Sequence, residues 1–452
     1  MSSNDDSQND YPEGDYRPYK PTRRRWTADA ELRQARLADQ IRIIQEALPD
    51  AEAHIGVDRG DDPNAAPSVQ YLYRRDRLLV RDADLARVDR ALGFDPATID
   101  TRVVTGTTDD GRPVSINGLT AYIVQGRSAL EALDLLDATE GVGVGTLDHV
   151  LWITGGAGCC PDTEPEPPGR RSPVPGRNWK QSTSGRGVSV SVVDTGWLPA
   201  VANDGRHPWL QGVTGDREDY NSGAIRHYVG HGTFIAGIVR CLAPEADVRV
   251  EGFLPVGGAI YESEIVRQLN ESLDRVPDII SLSAGAWTRN TLPLLSFEVF
   301  WETRLRHLKG TVLVAAAGND GNRGPFWPAA YPWALSVGAL NATGTARADY
   351  SNFGSWVDVY ARGSDIVNAF PDGRYTYDEA PHRGEVYQFV EGLAKWSGTS
   401  FSTPIVAGLI AGRMSRTGES ARDAADALKK LAVANAKPGV GPILRPGMAS
   451  QS

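Results

Sequence analysis

Apolar positions in this chain change their period twice, and each change marks a different kind of structure. Between Trp26 and Leu48, Leu32, Ala35, Ile41, Ile44 and Leu48 recur at helical spacing with charges between them, which predicts an amphipathic helix. From residue 66 to 154 short runs replace that pattern. Val69–Tyr73 and Leu78–Val80 read as strands, Ala83–Leu92 as a helix, Leu119–Val124 as a strand, Ser128–Ala138 as a helix and Val142–Ile153 as a closing strand. Ser128 with Glu131 three residues on is a capping-box pair, each side chain satisfying the other residue's backbone N–H. The order predicts a small α+β unit with a split βαβ arrangement of the ferredoxin-like kind. His149 lies in the alternating closing strand and reads as a packed or surface residue.

After residue 187 the apolar runs become continuous. Val188–Val193 ends in Asp194-Thr195-Gly196, Asp278–Ser283 in Ala284-Gly285, and Thr311–Ala317 in Gly318-Asn319; Trp333–Ala339 is another such run. Helical patterns lie between them, at Gly230–Val239, Glu262–Asp274 and Leu295–Leu308. Continuous apolar strands alternating with helices predict a parallel sheet covered on both faces, the three-layer α/β/α class. Sites in such sheets form beyond the carboxyl ends of the strands, where Asp194, Gly285 and Asn319 fall. Downstream, the small-residue turn Ser397-Gly398-Thr399-Ser400 precedes an apolar helix, with Pro404 expected in its first turn. Pro371–Lys395 reads as a loop or hairpin that decorates the surface. Ser420–Leu431 reads as a terminal amphipathic helix capped by Ser420.

These changes divide the chain into a polar N-terminus (1–25) expected to be disordered, a helix (26–48), an α+β unit (66–154), a Pro/Gly-rich linker (155–187), an α/β unit (188–434) and a tail (435–452). A length of 452 residues with 41% hydrophobic and 23% charged residues permits a large core. The net charge of −10 gives no sign of a nucleic-acid partner. No apolar run is long enough to span a bilayer, and the polar N-terminus has no signal-peptide core, so a cytoplasmic location is expected. Cys159, Cys160 and Cys241 form no disulfide framework. His54, His207, His227, His307 and His382 show no metal-ligand spacing, and no metal ligand is assigned.

The candidate chemistry lies at the strand and helix ends. A serine hydroxyl is a weak nucleophile without a base, and the base needs an orienting group. Ser400 is the candidate nucleophile, His231 the base and Asp194 the orienter. The Asn319 amide and the Ser400 N–H are candidate donors to an oxyanion. Asp194-Thr195-Gly196, His231-Gly232-Thr233 with Ala236-Gly237, Gly398-Thr399-Ser400 with Pro404, and Ala317-Gly318-Asn319 together resemble the subtilisin-like serine protease family. They occur in its chain order, Asp then His then Ser, over about Val188 to Arg416. Two departures stand close to the site: Phe234 replaces a frequent second histidine, and Phe401-Ser402 replaces a common Met-Ala pair.

The resemblance implies a serine endopeptidase acting on protein or peptide substrates, with no required cofactor. It implies a substrate peptide pairing beside Ser283, Ala284 and Gly285, and a first pocket walled by these residues and by Ala315, Ala316, Ala317 and Gly318. Their small size suggests a roomy, uncharged pocket. Calcium occurs in many members but has no assigned place here; Asp216, Glu218 and Asp219 read as a solvated acidic turn. The α+β unit resembles a propeptide whose tail, Leu147–Ile153, leads into the cleft, with self-cleavage between Thr154 and Arg186. A permanent accessory domain is the alternative. The N-terminal helix is a candidate docking site for a regulatory protein. Two other functions fit the same residues: a processing protease restricted to one partner or to its own chain, and an inactive peptide-binding protein. The intact set Asp194, His231, Ser400 and Asn319 argues against inactivity.

Overall fold

The computed structural model describes residues 23–56, 68–93, 105–107, 113–115, 117–124, 126–153, 164–169, 183–220, 223–254 and 256–449. Residues 1–22 and most of the linker lie outside them.

The N-terminal helix α1 (Arg23–Ala47) is followed by strands β1 (Ala51–Gly56) and β2 (Ser68–Arg81), helix α2 (Leu85–Leu92), strand β3 (Leu119–Ile123), helix α3 (Ala129–Glu140) and strand β4 (Gly145–Ile153). The capping box at Ser128 forms as expected: Ser128 Oγ accepts from Glu131 N and Glu131 accepts from Ser128 N. The two short strands expected at 69–73 and 78–80 are one strand, β2. Its first half pairs with β1, its second half with β3, and both halves with β4 on the other edge. Leu78, Val80, Val88, Tyr122, Leu133, Leu136 and Leu147 close a small core there.

The second unit contains a seven-stranded sheet whose neighbouring strands all run parallel. Thr214–Gly215 forms one edge; the other strands are β5 (Ser189–Asp194), β6 (Asp247–Gly252), β7 (Ile279–Leu282), β8 (Val312–Ala316), β9 (Ala334–Leu340) and, at the opposite edge, β10 (Val359–Arg362). Strand side chains alternate between faces. Val190, Val192, Ile279, Val312 and Val314 therefore join one core, and Val193, Ile280, Leu282 and Leu313 the other. Helices α4 (His231–Leu242) and α5 (Thr399–Thr417) cover the first face. Helices at Glu262–Ser272 and Leu295–Thr303 cover the second. The sheet confirms the three-layer α/β/α expectation.

Three segments differ from expectation. Residues 371–395 are not decoration: Gly373–Thr376 and Val386–Phe389 pair as a hairpin, extended by Gly223–Ile225, and bury Tyr375, Glu379 and Phe389. The tail packs against the edge of the sheet, where Leu444 N donates to Tyr360 O and Tyr360 N to Pro442 O. Helix α1 touches more than the domain that follows it. Arg36 Nε donates to Ala380 O at 2.6 Å, Ala380 N donates to Asp39 at 3.2 Å, and Ile43 and Ile44 are buried.

Candidate active site

Asp194 is the last residue of β5 and is fully buried. Its Oδ1 accepts from Thr195 N at 2.8 Å and lies 2.7 Å from His231 Nδ1. His231 is the first residue of α4, so the turn into the helix aims its ring at the strand end. That turn depends on Gly230. Its φ is 86°, and an added Cβ would lie 2.9 Å from Pro371 Cδ. Ser400 is the second residue of α5, where helix N–H groups lack intrahelical acceptors. The His231 ring packs 5.2 Å from the ring of Phe401, which follows Ser400, and 5.1 Å from Trp396. Thus the starts of two helices and the end of one strand bring the expected residues to one place.

Pro404 sits inside α5 and not in its first turn. Proline has no N–H for the carbonyl four residues back, that of Ser400. This oxygen accepts from Ser283 Oγ at 3.1 Å instead. The proline thereby frees a carbonyl that ties the serine-bearing turn to the neighbouring strand end.

Asn319 follows β8. Its Oδ1 accepts from Thr399 N at 2.8 Å and from Thr399 Oγ1 at 2.9 Å. A backbone N–H can only donate, so the amide oxygen faces Thr399 and Nδ2 lies on the side of Gly398. A Cβ at Gly398 would be 3.2 Å from that nitrogen.

The two departures from the family pattern pack together. Phe234 is fully buried, 5.0 Å from Phe401 and 5.8 Å from Trp396. Phe401 and Trp396 wall the imidazole, and Phe234 packs against both. Trp396 in this group was not singled out from the sequence, although it lies four residues before Ser400.

The expected pocket walls are present, but the pocket is not roomy. Ala284, Ala316 and Ala317 are fully buried, and the buried ring of Phe326 lies between the two walls. A Cβ on Gly285 would come within 2.3 Å of that ring, and one on Gly318 within 3.0 Å. The strand edge beside it is taken as well. Ala284 and Gly285 pair antiparallel with Ile153 and Trp152 of β4, while Ala259–Tyr261 pair with Trp152, Leu151 and Val150. Every residue of β4 is buried.

Glu218 is not part of a solvated turn. Its Oε2 accepts from Gly230 N at 2.8 Å, and burial pushes its carboxyl up to about 8. Asp216 instead faces Arg249 at 2.8 Å and Asp219 faces Arg226 at 3.2 Å, so the three acids do not converge. His149 is packed: it accepts from Arg289 N at 3.2 Å, and burial lowers its pKa to about 3.

The subtilase family model matches residues 185–446. The chain belongs to the subtilase family, a family of serine endopeptidases. It is 31% identical over 245 residues to the thermophilic serine proteinase of Bacillus sp. (strain AK1), covering 52% of this chain and 53% of that protein. It is 30% identical over 260 residues to thermitase of Thermoactinomyces vulgaris, covering 55% of this chain and 82% of thermitase. The chain thus spans about half the length of the first relative and most of the second. In fold, it resembles fervidolysin from Fervidobacterium pennivorans, a keratinolytic enzyme related to subtilisin. The TM-score is 0.53 and the identity 17%, with 84% of this chain and 61% of that one covered. Among the described residues, no helix is long and apolar enough to cross a membrane.

Proposed function

We propose that this chain hydrolyses peptide bonds by acyl transfer to Ser400. His231 takes the serine proton and returns it to the leaving amine, and Asp194 holds the imidazole tautomer. Asn319 Nδ2 and the Ser400 N–H donate to the oxyanion. The observation that carries this reading is the 2.7 Å Asp194–His231 contact, set where β5 ends and α4 begins. In the state described, Ser400 Oγ lies 3.5 Å from Ser283 O.

We further propose that residues 66–154 act as an inhibitory propeptide and that the chain processes itself. Burial of β4 between two strands of the catalytic unit supports this, because a substrate would pair with the same edge. The register supports a site. Ile153, the last described residue of β4, faces Ala284, whose neighbour Ser283 has its carbonyl oxygen next to Ser400. The bond after Thr154 is the proposed scissile bond. Glu166 pairs with Lys395 in both directions, at 2.9 and 2.7 Å, which supports a cut upstream of residue 164. The occupied cleft also favours a restricted processing protease over one that degrades broadly.

The test is intact mass after exposure to a fluorophosphonate, for wild type beside Ser400→Ala. The expected result is an adduct and a chain cut after Thr154 in the wild type, with neither in the variant. An adduct on an uncut chain removes the propeptide reading. No adduct on a chain whose linker has been cut by an added protease removes the catalytic one.

A further inference from the structure

In the turn before His231, three distant segments bring a histidine and carboxylates together. His227 lies four residues before His231. Its Nδ1 is 3.6 Å from Glu164 Oε1 and 3.8 Å from Asp378 Oδ2. One ligand atom from each of the three residues lies within 4.8 Å of the others. Among the described residues, Nδ1 has one hydrogen-bond partner, Tyr375 OH at 3.4 Å, and its two carboxylate separations are long for hydrogen bonds. They approach the roughly 3.3 Å between neighbouring ligands of a tetrahedral ion with bonds of about 2.0 Å. The second nitrogen of His227 is an independent sign. Nε2 is buried without a hydrogen-bond partner among the described residues and faces Glu379 Oε1 at 3.5 Å. A carboxylate behind the imidazole is the arrangement that orients a metal-binding histidine and fixes its tautomer.

We propose that Glu164, His227 and Asp378 bind one Zn²⁺ ion, with His227 coordinating through Nδ1 and Glu379 holding the ring from behind. Glu164 is already positioned: it accepts from Tyr375 OH at 2.9 Å, Asp378 N at 2.7 Å and Glu379 N at 3.2 Å. These neutral donors orient the carboxylate but do not cancel its charge, whereas a dication does. Asp378 is the partly exposed member, with 39% of its side chain accessible, and gives the ion a way in and room for a water ligand. An imidazole with carboxylates suits zinc, whereas calcium takes six to eight oxygens.

The site joins the chain that follows the linker (Glu164), the turn before the catalytic helix (His227) and the inserted hairpin (Asp378). A metal there fastens the start of the catalytic unit next to His231. Burial disfavours the His227 cation, but Glu164, Glu379 and Asp378 outweigh it and raise its pKa. Tyr375 and, from α1, Gln40 are the other polar neighbours of this cluster.

The experiment uses the full chain carrying Ser400→Ala, so that self-cleavage cannot interfere and the result does not depend on catalysis. The protein is stripped with a chelator and titrated with Zn²⁺ by calorimetry, with metal content measured after buffer exchange. We expect about one Zn²⁺ per chain and a higher Tm on loading. Adding Asp378→Asn or His227→Gln should weaken binding at least about tenfold. Asp378→Asn changes a partly exposed group, and its circular dichroism reports whether the fold is kept. Failure to retain zinc, equal binding in both variants, or preference for Ca²⁺ over Zn²⁺ would each overturn the proposal.

Discussion

The two flanks of the cleft are held by different physics. On one side β4 lies between Ala284–Gly285 and Ala259–Tyr261, joined by backbone pairing and buried along its whole length. At the turn before His231, Glu164, His227, Asp378 and Glu379 meet through side-chain charge. Backbone pairing specifies an extended chain and tolerates many sequences. A buried charge cluster specifies particular residues, because an unpartnered charge in a dry site is costly. The strand flank suits a substrate or inhibitor that must leave, and the charged flank suits a permanent fastening.

The largest break in this contrast should come from Trp152→Ala. Trp152 is buried at the crossing of the paired strands, and losing a buried tryptophan costs about 3–5 kcal/mol. In the Ser400→Ala background, hydrogen exchange of residues 145–153 should accelerate by a factor of about a hundred or more, with the charged flank unchanged. Equal protection would mean that the strand is held by something other than this contact.

Asn319→Ala lies between the flanks and should leave both intact. It should lower kcat of the processed enzyme by about 10²–10³, the cost known for removing the oxyanion amide of subtilisin. An unchanged kcat would remove Asn319 from that role.

The strand flank carries two titrating groups of its own, Asp148 and His149. Asp148 accepts from Ser263 N at 3.1 Å and Ser263 Oγ at 2.9 Å, at the start of the helix Glu262–Ser272. Burial raises its pKa to about 6, from an ordinary 3.8. A raised pKa means that the docked state favours the protonated form. Its stabilisation is therefore full below about pH 4 and is lost as the pH rises to about 6, by up to roughly a hundredfold. His149 on the same strand acts in the opposite sense, because burial lowers its pKa to about 3, so the Asp148 effect is read as a difference: opening of residues 145–153, measured by hydrogen exchange corrected for intrinsic rates, should increase between about pH 4 and 6 relative to the Asp148→Asn variant. If wild type and Asp148→Asn show the same pH profile, the effect does not belong to Asp148.

The smallest expected effect concerns side-chain choice. Phe326→Ala should empty the floor between Gly285 and Gly318 and shift preference from small toward larger residues before the scissile bond, by about 10–200-fold in kcat/KM ratio. Peptide series differing at that residue would show it, and an unshifted preference would mean that the ring lies outside the pocket.

Much of the architecture was legible because it is local. The apolar runs ending at Asp194 and Asn319 are strands whose carboxyl ends carry these residues. The caps at Ser128 and Ser420 depend on residues three positions away, and both form. The motifs at His231 and Ser400 sit at helix starts because glycine turns precede them. Other features had no local signal. Phe326 fills the pocket because two glycines distant in sequence admit its ring. Tyr375 and Glu379 are buried only because the hairpin that carries them meets Glu164 and α1. Pro404 could be read as a helix-start proline until Ser283, more than a hundred residues away, was seen to take the carbonyl it releases. Sequence by itself determined the elements, their order and the residues offered to the site, since period, capping and turn chemistry act over a few residues. Tertiary structure alone decided which strand occupies the cleft, what fills the pocket and which charges meet beside His231, because these depend on register and packing between segments that the chain brings together only on folding.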